Sequence, residues 1–488
     1  MLCITYKTKS GTGGAHKSLQ TFADSQCHFL YLSVSLLHFS RGYFAMHQLF
    51  HLVGARLNRY ALVLILFLAV VIRLLATPLG GYGHDLNINK EWGHSARVFG
   101  LVQSYKEQMN GNMLPNYPPL SLVIFTAAEY GRLWMRHGTA EAVPEGTLYI
   151  KLPGIIADVL TCLVFFLGFQ GIIGRRKSLV LSLIYALHPA VIYNSAVWGQ
   201  TDSVFTFFAM AALVTLPLKR GPIWAGILLA LGILSKPHAI IFIPLLAFVL
   251  LPRPLKLLQY IVAGITTLLV AFIPITLLGS GQELMKVYTH AVGFYPALSS
   301  SAYNFWWSLY SHESGKIMDT ELFFGVIKYR LFGYILFGIM YAAILALFRK
   351  KLWAIAQEKR ELVTLFMVGA LIAYSFFLFN TEMHERYLFA YMILALPLVL
   401  FGRNGILLYG VSSLANLMNL LGNLPLGRID IAIYKNFFHF AVVIACAHLW
   451  AFVLTWMLVY GKTMSVSIKP KTKTRVPASV PVSTPSKL

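Results

Sequence analysis

Long apolar runs broken by short polar turns dominate the chain, and their lengths are those of membrane helices rather than of core strands. About 20 apolar residues carry a helix across a bilayer. On that measure, spans are expected at 60–76, 148–168, 178–195, 203–218, 222–235, 238–251, 257–278, 329–348, 362–379, 387–401, 404–422 and 436–460. The shorter ones must tilt little or borrow flanking residues. One further run, 120–135 (LSLVIFTAAEYGRLWM), follows a double proline and carries Glu129 and Arg132. It reads as an amphipathic helix lying at the outer interface.

Orientation decides that last assignment. If 120–135 does not cross, the basic clusters at Arg56 and Arg59, Arg175–Lys177, Lys219–Arg220, Arg253 and Lys256, Arg349–Lys351, Arg403, and the tail from Lys469 to Arg475 all fall on one side. That is the cytoplasmic side by the positive-inside rule. About twelve spans result, with both termini cytoplasmic.

Composition agrees. Of 488 residues, 57% are hydrophobic and 12% charged, which excludes a soluble globular protein. Lys and Arg outnumber Asp and Glu by 40 to 18, but the excess sits in short clusters between apolar runs, so no nucleic-acid partner is implied. The partners are membrane lipids. Four cysteines provide no disulfide framework, since Cys162 and Cys446 lie in apolar runs and Cys3 and Cys27 precede the first. Three regions follow: a dispensable extension over 1–45, with a cleaner membrane-protein beginning at Met46; a transmembrane catalytic body over 46–460; and a disordered basic cytoplasmic tail over 461–488, rich in Lys, Pro, Ser and Thr. No internal repeat is visible.

The polar chemistry gathers at span ends on the deduced outer face. Asp85 lies in GYGHDLNINKEW just after the first span, and Tyr117 in NYPPL follows. Trp198, Gln200 and Asp202 stand in WGQTDS after the third span, Lys236 and His238 in SKPH. Asn304 belongs to SAYNFWWSLY in a long outer loop, and His384, Glu385 and Arg386 to MHERY after the ninth span. Each has a simpler reading. Thr201, Asp202 or Ser203 caps the next helix; His384–Arg386 is an interfacial anchor with a snorkelling arginine; Tyr117–Pro119 is a stiff lead into a helix; Trp306–Trp307 belongs to an aromatic belt; Asp85 is an acid in a wet loop. Coincidence on one face, not any single motif, favours a common site.

In this order, Asp85 with Trp92, YPPL, WGQTDS, SKPH, the N-F-W element and MHERY resemble the GT-C glycosyltransferases over about residues 60–399. They are most similar to prokaryotic relatives of the GPI mannosyltransferase II family, and more distantly to the dolichyl-phosphate-glucose-dependent glucosyltransferases. The resemblance implies an all-α bundle with an outer-face site, and inverting transfer of a hexose, mannose first, from a polyprenyl-phosphate donor to a glycan, lipid or protein hydroxyl. The family's catalytic base, the acid of the first outer loop, corresponds to Asp85. Two departures stand out: Asn116 replaces an aspartate found in some relatives, and Asp202 has no acidic counterpart in the glucosyltransferase branch.

The residue types suit that chemistry. A carboxylate can accept the acceptor hydroxyl's proton, and Lys236, His238, His384 and Arg386 can stabilise charge developing on a departing phosphate. Lys236 on the outer face runs against simple positive-inside counting, which itself points to a phosphate partner. No cofactor is called for; His84, Asp85 and His94 do not form a recognised metal-ligand spacing. The rival class is a secondary transporter or lipid-linked-sugar flippase, which predicts inverted repeats and broken helices in matching halves. A non-catalytic partner of another transferase is a third reading. The membrane is the plasma membrane in a prokaryote and the endoplasmic reticulum in a eukaryote.

Overall fold

A computed structural model describes residues 60–107, 113–135, 146–355, 358–423 and 431–466, with side chains in the last stretch described over 440–462. The expected extension over 1–45, the start at Met46 and all of the tail beyond Val466 lie outside them. The described residues from Ile65 onward form one compact unit. It is almost wholly helical. Among the described residues, seven helices are long and apolar enough to cross a membrane: α1 (Tyr60–Leu79), α4 (Leu148–Ile173), α10 with its continuation (Pro254–Thr289), α13 (Tyr329–Ala354), α14 with its leading turn (Lys359–Phe379), α16 (Arg403–Asn423) and the Phe440–Lys462 part of α17. The pair α5 (Arg175–Ala186) and α6 (Pro189–Trp198) passes the same test together, bent by 48°. Four more apolar helices are shorter: α7 (Asp202–Thr215), α8 (Gly221–Ser235), α9 (Pro237–Leu250) and α15 (Phe389–Phe401). Each expected span thus coincides with an apolar helix. α17 runs to Val466, past the expected boundary at 461, because no proline interrupts it before Pro470.

Prolines set most of the breaks. Pro189 opens α6 and forces the bend after α5, because a proline ring clashes with the turn before it. Lys236 precedes Pro237 and is held extended (φ −153°, ψ 131°), as the residue before a proline prefers. That ends α8 at Ser235 and turns the lysine out of the helical ladder. Glycines permit the closest helix contacts: a Cβ on Gly226 of α8 would sit 2.3 Å from the Tyr260 carbonyl of α10, the small-residue packing by which membrane helices approach.

α14 is the central helix, with 83% of its apolar window buried, whereas α10 has 6% and turns its leucines and isoleucines outward. Trp306 and Trp307, expected in an aromatic belt, are buried instead. Trp306 packs against Tyr329, Phe323 and Phe332 and donates Nε1–H to the Phe379 carbonyl. The run read as an interfacial helix forms α3 (Pro119–Met135, 17 residues) and packs on α2 (Gly83–Phe99). Its Glu129 is buried and binds Arg132 through both oxygens, with His94 and Arg97 of α2 alongside.

Candidate active site

α2 begins at Gly83 and carries Asp85 in its first turn. The carboxylate of Asp85 accepts a short hydrogen bond from the Gln200 side-chain amide, and both line a cavity of about 330 Å3. Gln200 arrives there because the chain leaves the π-helical end of α6 through Gly199, which sits at φ 86°. A Cβ at Gly199 would lie 2.5 Å from Leu86 Cδ2 and 3.1 Å from Lys151 Cγ, so only glycine fits this turn.

Lys151 fixes the floor beneath both groups. It is buried in α4 and donates to the carbonyls of Thr77, Gly80 and Val197. One ammonium thereby ties the segment leading to Asp85 to the segment leading to Gln200. A second buried group reinforces the tie: Asp158 of α4 accepts from Arg73 of α1, from Tyr185 and from Ser195. Neither Lys151 nor the Arg73–Asp158 pair was among the expected site residues. The signal was present, since an ionisable residue inside an apolar span is a functional or structural anchor by default.

Asp202 is fully buried and lies behind the cavity wall. Its carboxylate pairs with Lys236 and accepts from Asn194 at 3.4 Å. It does not cap α7: Thr201 occupies the cap position with no side-chain bond to the helix. Lys236 itself lines the cavity, as do His238, Tyr387 and Arg386. The lysine ammonium stands 5.2 Å from the Tyr387 ring centre and the Arg386 guanidinium 5.6 Å. His238 packs edge-on against the same ring at 4.1 Å. Tyr387 is thus flanked by two cations and an imidazole.

Glu385 and His384 stand behind Arg386. Glu385 accepts from Arg386 at 2.7 Å; burial pushes its carboxyl above the usual carboxylate range, and Arg386 opposes that rise. His384 packs edge-on against Tyr295 at 4.9 Å and Tyr387 at 5.0 Å. Burial, and then the charges of Arg386 and Lys236, hold its imidazole well below its ordinary pKa. The segment is therefore an inward wall of the site and not a snorkelling anchor.

The opposite wall is aromatic. Trp92 stacks obliquely on Tyr117 at 5.4 Å and donates Nε1–H to the Met113 carbonyl. Tyr105 donates its hydroxyl to the Tyr117 carbonyl. Tyr117 lines the cavity, as do Tyr295 and Phe294. Besides Asp202, His384 and Glu385, two further expected residues do not line it. Trp198 is buried against Tyr193 in the packing beneath the turn, because its ring points into the bundle from the last turn of α6. Asn304 caps the short helix α12 (Phe305–Tyr310), accepting from the Trp306 and Trp307 N–H groups and donating to the Phe377 carbonyl. No cluster of three or more His, Cys, Asp or Glu side chains gathers to hold a metal ion among the described residues.

A latch outside the expected set holds the roof. Glu382 sits at φ 61° and accepts from the N–H groups of Gly293 and Tyr295. Arg330 bridges Glu382 and Asp319. The loop bearing Phe294 and Tyr295 is thereby fixed over the cavity next to His384.

Residues 133–277 match the family described as dolichyl-phosphate-mannose-protein mannosyltransferase. The chain is 28% identical over 170 residues to GPI mannosyltransferase 1 of Candida albicans, which covers 32% of this chain and 39% of that protein. It is 33% identical over 145 residues to GPI mannosyltransferase 1 of Saccharomyces cerevisiae, covering 28% and 34%. It thus spans well under half of the length of either relative. Its fold aligns with the crystal structure of the Archaeoglobus fulgidus oligosaccharyltransferase at a TM-score of 0.42 and 16% identity, over 83% of this chain and 55% of that one. Over the matched segments this integral, multi-pass membrane protein is similar to mannosyltransferases of the GT-C type.

Proposed function

We propose that the protein transfers a hexose, mannose first, from a polyprenyl-phosphate-linked donor to an acceptor hydroxyl, with Asp85 as general base. The observation that carries this reading is the cavity itself: a carboxylate oriented by Gln200 on one wall faces Lys236 and Arg386 on the other. Inverting transfer needs those two poles. The acceptor hydroxyl must lose a proton as its oxygen bonds to the anomeric carbon, and a positioned carboxylate takes it. The bond from that carbon to the phosphate oxygen breaks at the same time, leaving charge on the phosphate that fixed cations stabilise. Among the described residues, Gln200 is the only side-chain partner of Asp85, and it occupies one oxygen; the second serves the acceptor. Trp92, Tyr117 and Tyr295 supply ring faces against which a sugar packs.

The names of the matched family and relatives support mannose as the sugar and a polyprenyl phosphate as the carrier. The acceptor is a glycan, lipid or protein hydroxyl on the extracytoplasmic side. No metal or other cofactor enters the proposal. The test is purified protein incubated with a panel of polyprenyl-phosphate sugars and, in parallel, nucleotide sugars, following release of polyprenyl phosphate. Release from the mannosyl lipid, lost in Asp85→Asn, is the expected result. Turnover of nucleotide sugars alone, or movement of intact lipid-linked sugar across vesicles without cleavage, overturns it.

A further inference from the structure

Between Glu321 and Tyr329 the chain makes a small hairpin, β2 (Leu322–Phe323) against β3 (Ile327–Lys328). Its tip places a bulky residue in a turn built for small polar ones. Phe324 and Gly325 both sit at positive φ, 50° and 70°, and the Val326 N–H closes the turn onto the Phe323 carbonyl. Two successive residues at positive φ call for Asn-Gly or Asp-Gly. A phenylalanine there is strained and supplies none of the local hydrogen bonding that makes Asn or Asp tolerable. Neither does it serve the core, for Phe324 is 86% exposed, Val326 83% and Leu322 52%. A strained, outward-pointing apolar tip must be serving something outside the chain.

Its placement identifies the occupant. Phe323, the one inward residue of the tip, packs on Trp306, Tyr329 and Phe332, the last at 4.8 Å. Phe332 lies nearly a full turn inside α13, so the hairpin folds back along the spanning helix and not away from it. The exposed residues of α13 that follow, Leu331, Ile335 and Ile339, recur every four positions and form one apolar stripe along that candidate span. Lys328 is exposed at the junction, where a long basic side chain can reach the headgroup layer from an apolar neighbourhood. The apolar tip is therefore continuous with the exposed apolar stripe of a helix long and apolar enough to cross a membrane.

We infer that the Leu322–Val326 hairpin is a membrane-seating wedge, with Phe324 and Val326 inserted among the acyl chains at the Tyr329 end of α13. Seating it there braces the loop that leads through Asp319 and Arg330 to Glu382 and the cavity roof.

The test is site-directed spin labelling of the full chain in vesicles of phosphatidylcholine and phosphatidylglycerol. Labels go at Phe324→Cys and Val326→Cys, with Leu331→Cys as the lipid reference and Lys316→Cys as the water reference; the unsubstituted protein gives the background from its native cysteines. Positions 324 and 326 are expected to match 331, several-fold more accessible to oxygen than to a water-soluble nickel chelate. Behaviour like 316 overturns the inference. Shelter from both reagents overturns it too, in favour of a protein covering the tip. Val326 lies outside the positive-φ pair, so its label reports depth even if the one at 324 disturbs the turn.

Discussion

A carboxylate in the first turn of a helix ordinarily answers the helix dipole, but Asp85 also receives Gln200 across 115 positions of sequence. Asp85→Asn keeps the shape and removes the base, so turnover should fall by roughly 10²–10⁴-fold with donor binding retained, measured by single-turnover kinetics alongside donor affinity. Asp202 carries a different expectation. Asparagine caps helices as well as aspartate does, yet this side chain makes no cap and instead neutralises the buried Lys236. Asp202→Asn should destabilise the fold by about 3–5 kcal/mol, because it strands a buried ammonium. Pairing it with Lys236→Met should recover thermal stability without recovering donor binding. His384 makes a pH-dependent prediction. Its folded pKa lies well below 6.5, so an unfolded chain takes up the proton first, and folded stability is full above about 6.5 and declines as pH falls below it. Between about pH 7 and pH 5, thermal melting of the protein should lose more stability than that of His384→Gln.

At the scale of elements, the site depends on where helices stop. Pro237 ends α8 and holds Lys236 extended, and Gly199 turns Gln200 toward Asp85. Lys151 joins the segment before Asp85 to the segment before Gln200 through the Thr77, Gly80 and Val197 carbonyls. Lys151→Met removes the donor from two buried acceptors, the Thr77 and Val197 carbonyls, each costing about 1–3 kcal/mol when left unsatisfied, and from the partly exposed Gly80 carbonyl. A large drop in melting temperature should accompany a loss of turnover, and melting at the normal temperature would show that the carbonyls find water instead. These stops were legible in part. Prolines and glycines mark the breaks in the sequence, and WGQTDS and SKPH were read as site segments because their polar residues stand at span ends on the same deduced face. Which side chain of each segment would face the cavity was not legible: Gln200 lines it while Trp198 and Asp202 lie behind, because the π-helical last turn rotates the segment relative to a regular helix.

For the whole molecule, the expected topology puts the loop before α13 and the basic cluster after it on opposite sides of the membrane. α13 has 26 residues, or about 39 Å at 1.5 Å each, enough to separate them. Cysteines at Lys316 and Lys350, both exposed, should react with impermeant reagent from opposite faces of sealed vesicles. Labelling of both from one face would overturn the arrangement of spans.

Hydrophobic run length and charge bias determined, from sequence alone, that the chain is a helical membrane protein and where nearly every apolar helix lies, because both are one-dimensional properties that the bilayer reads directly. The polar segments at the span ends, Asp85 with Gln200 and the MHERY wall, were legible for the same reason: ionisable groups beside lipid stand out. Only tertiary structure decided how they pair. That Asp202 belongs to Lys236, that Trp306 fills the core against Phe379, and that Lys151 and Glu382 hold the floor and the roof are contacts between residues tens of positions apart, and the local turns that set Glu385 on Arg386 and Asn304 on its helix are themselves fixed by the packing around them. Such contacts are set by helix rotation and by close packing at a few glycines, and sequence periodicity fixes neither for helices this uniformly apolar.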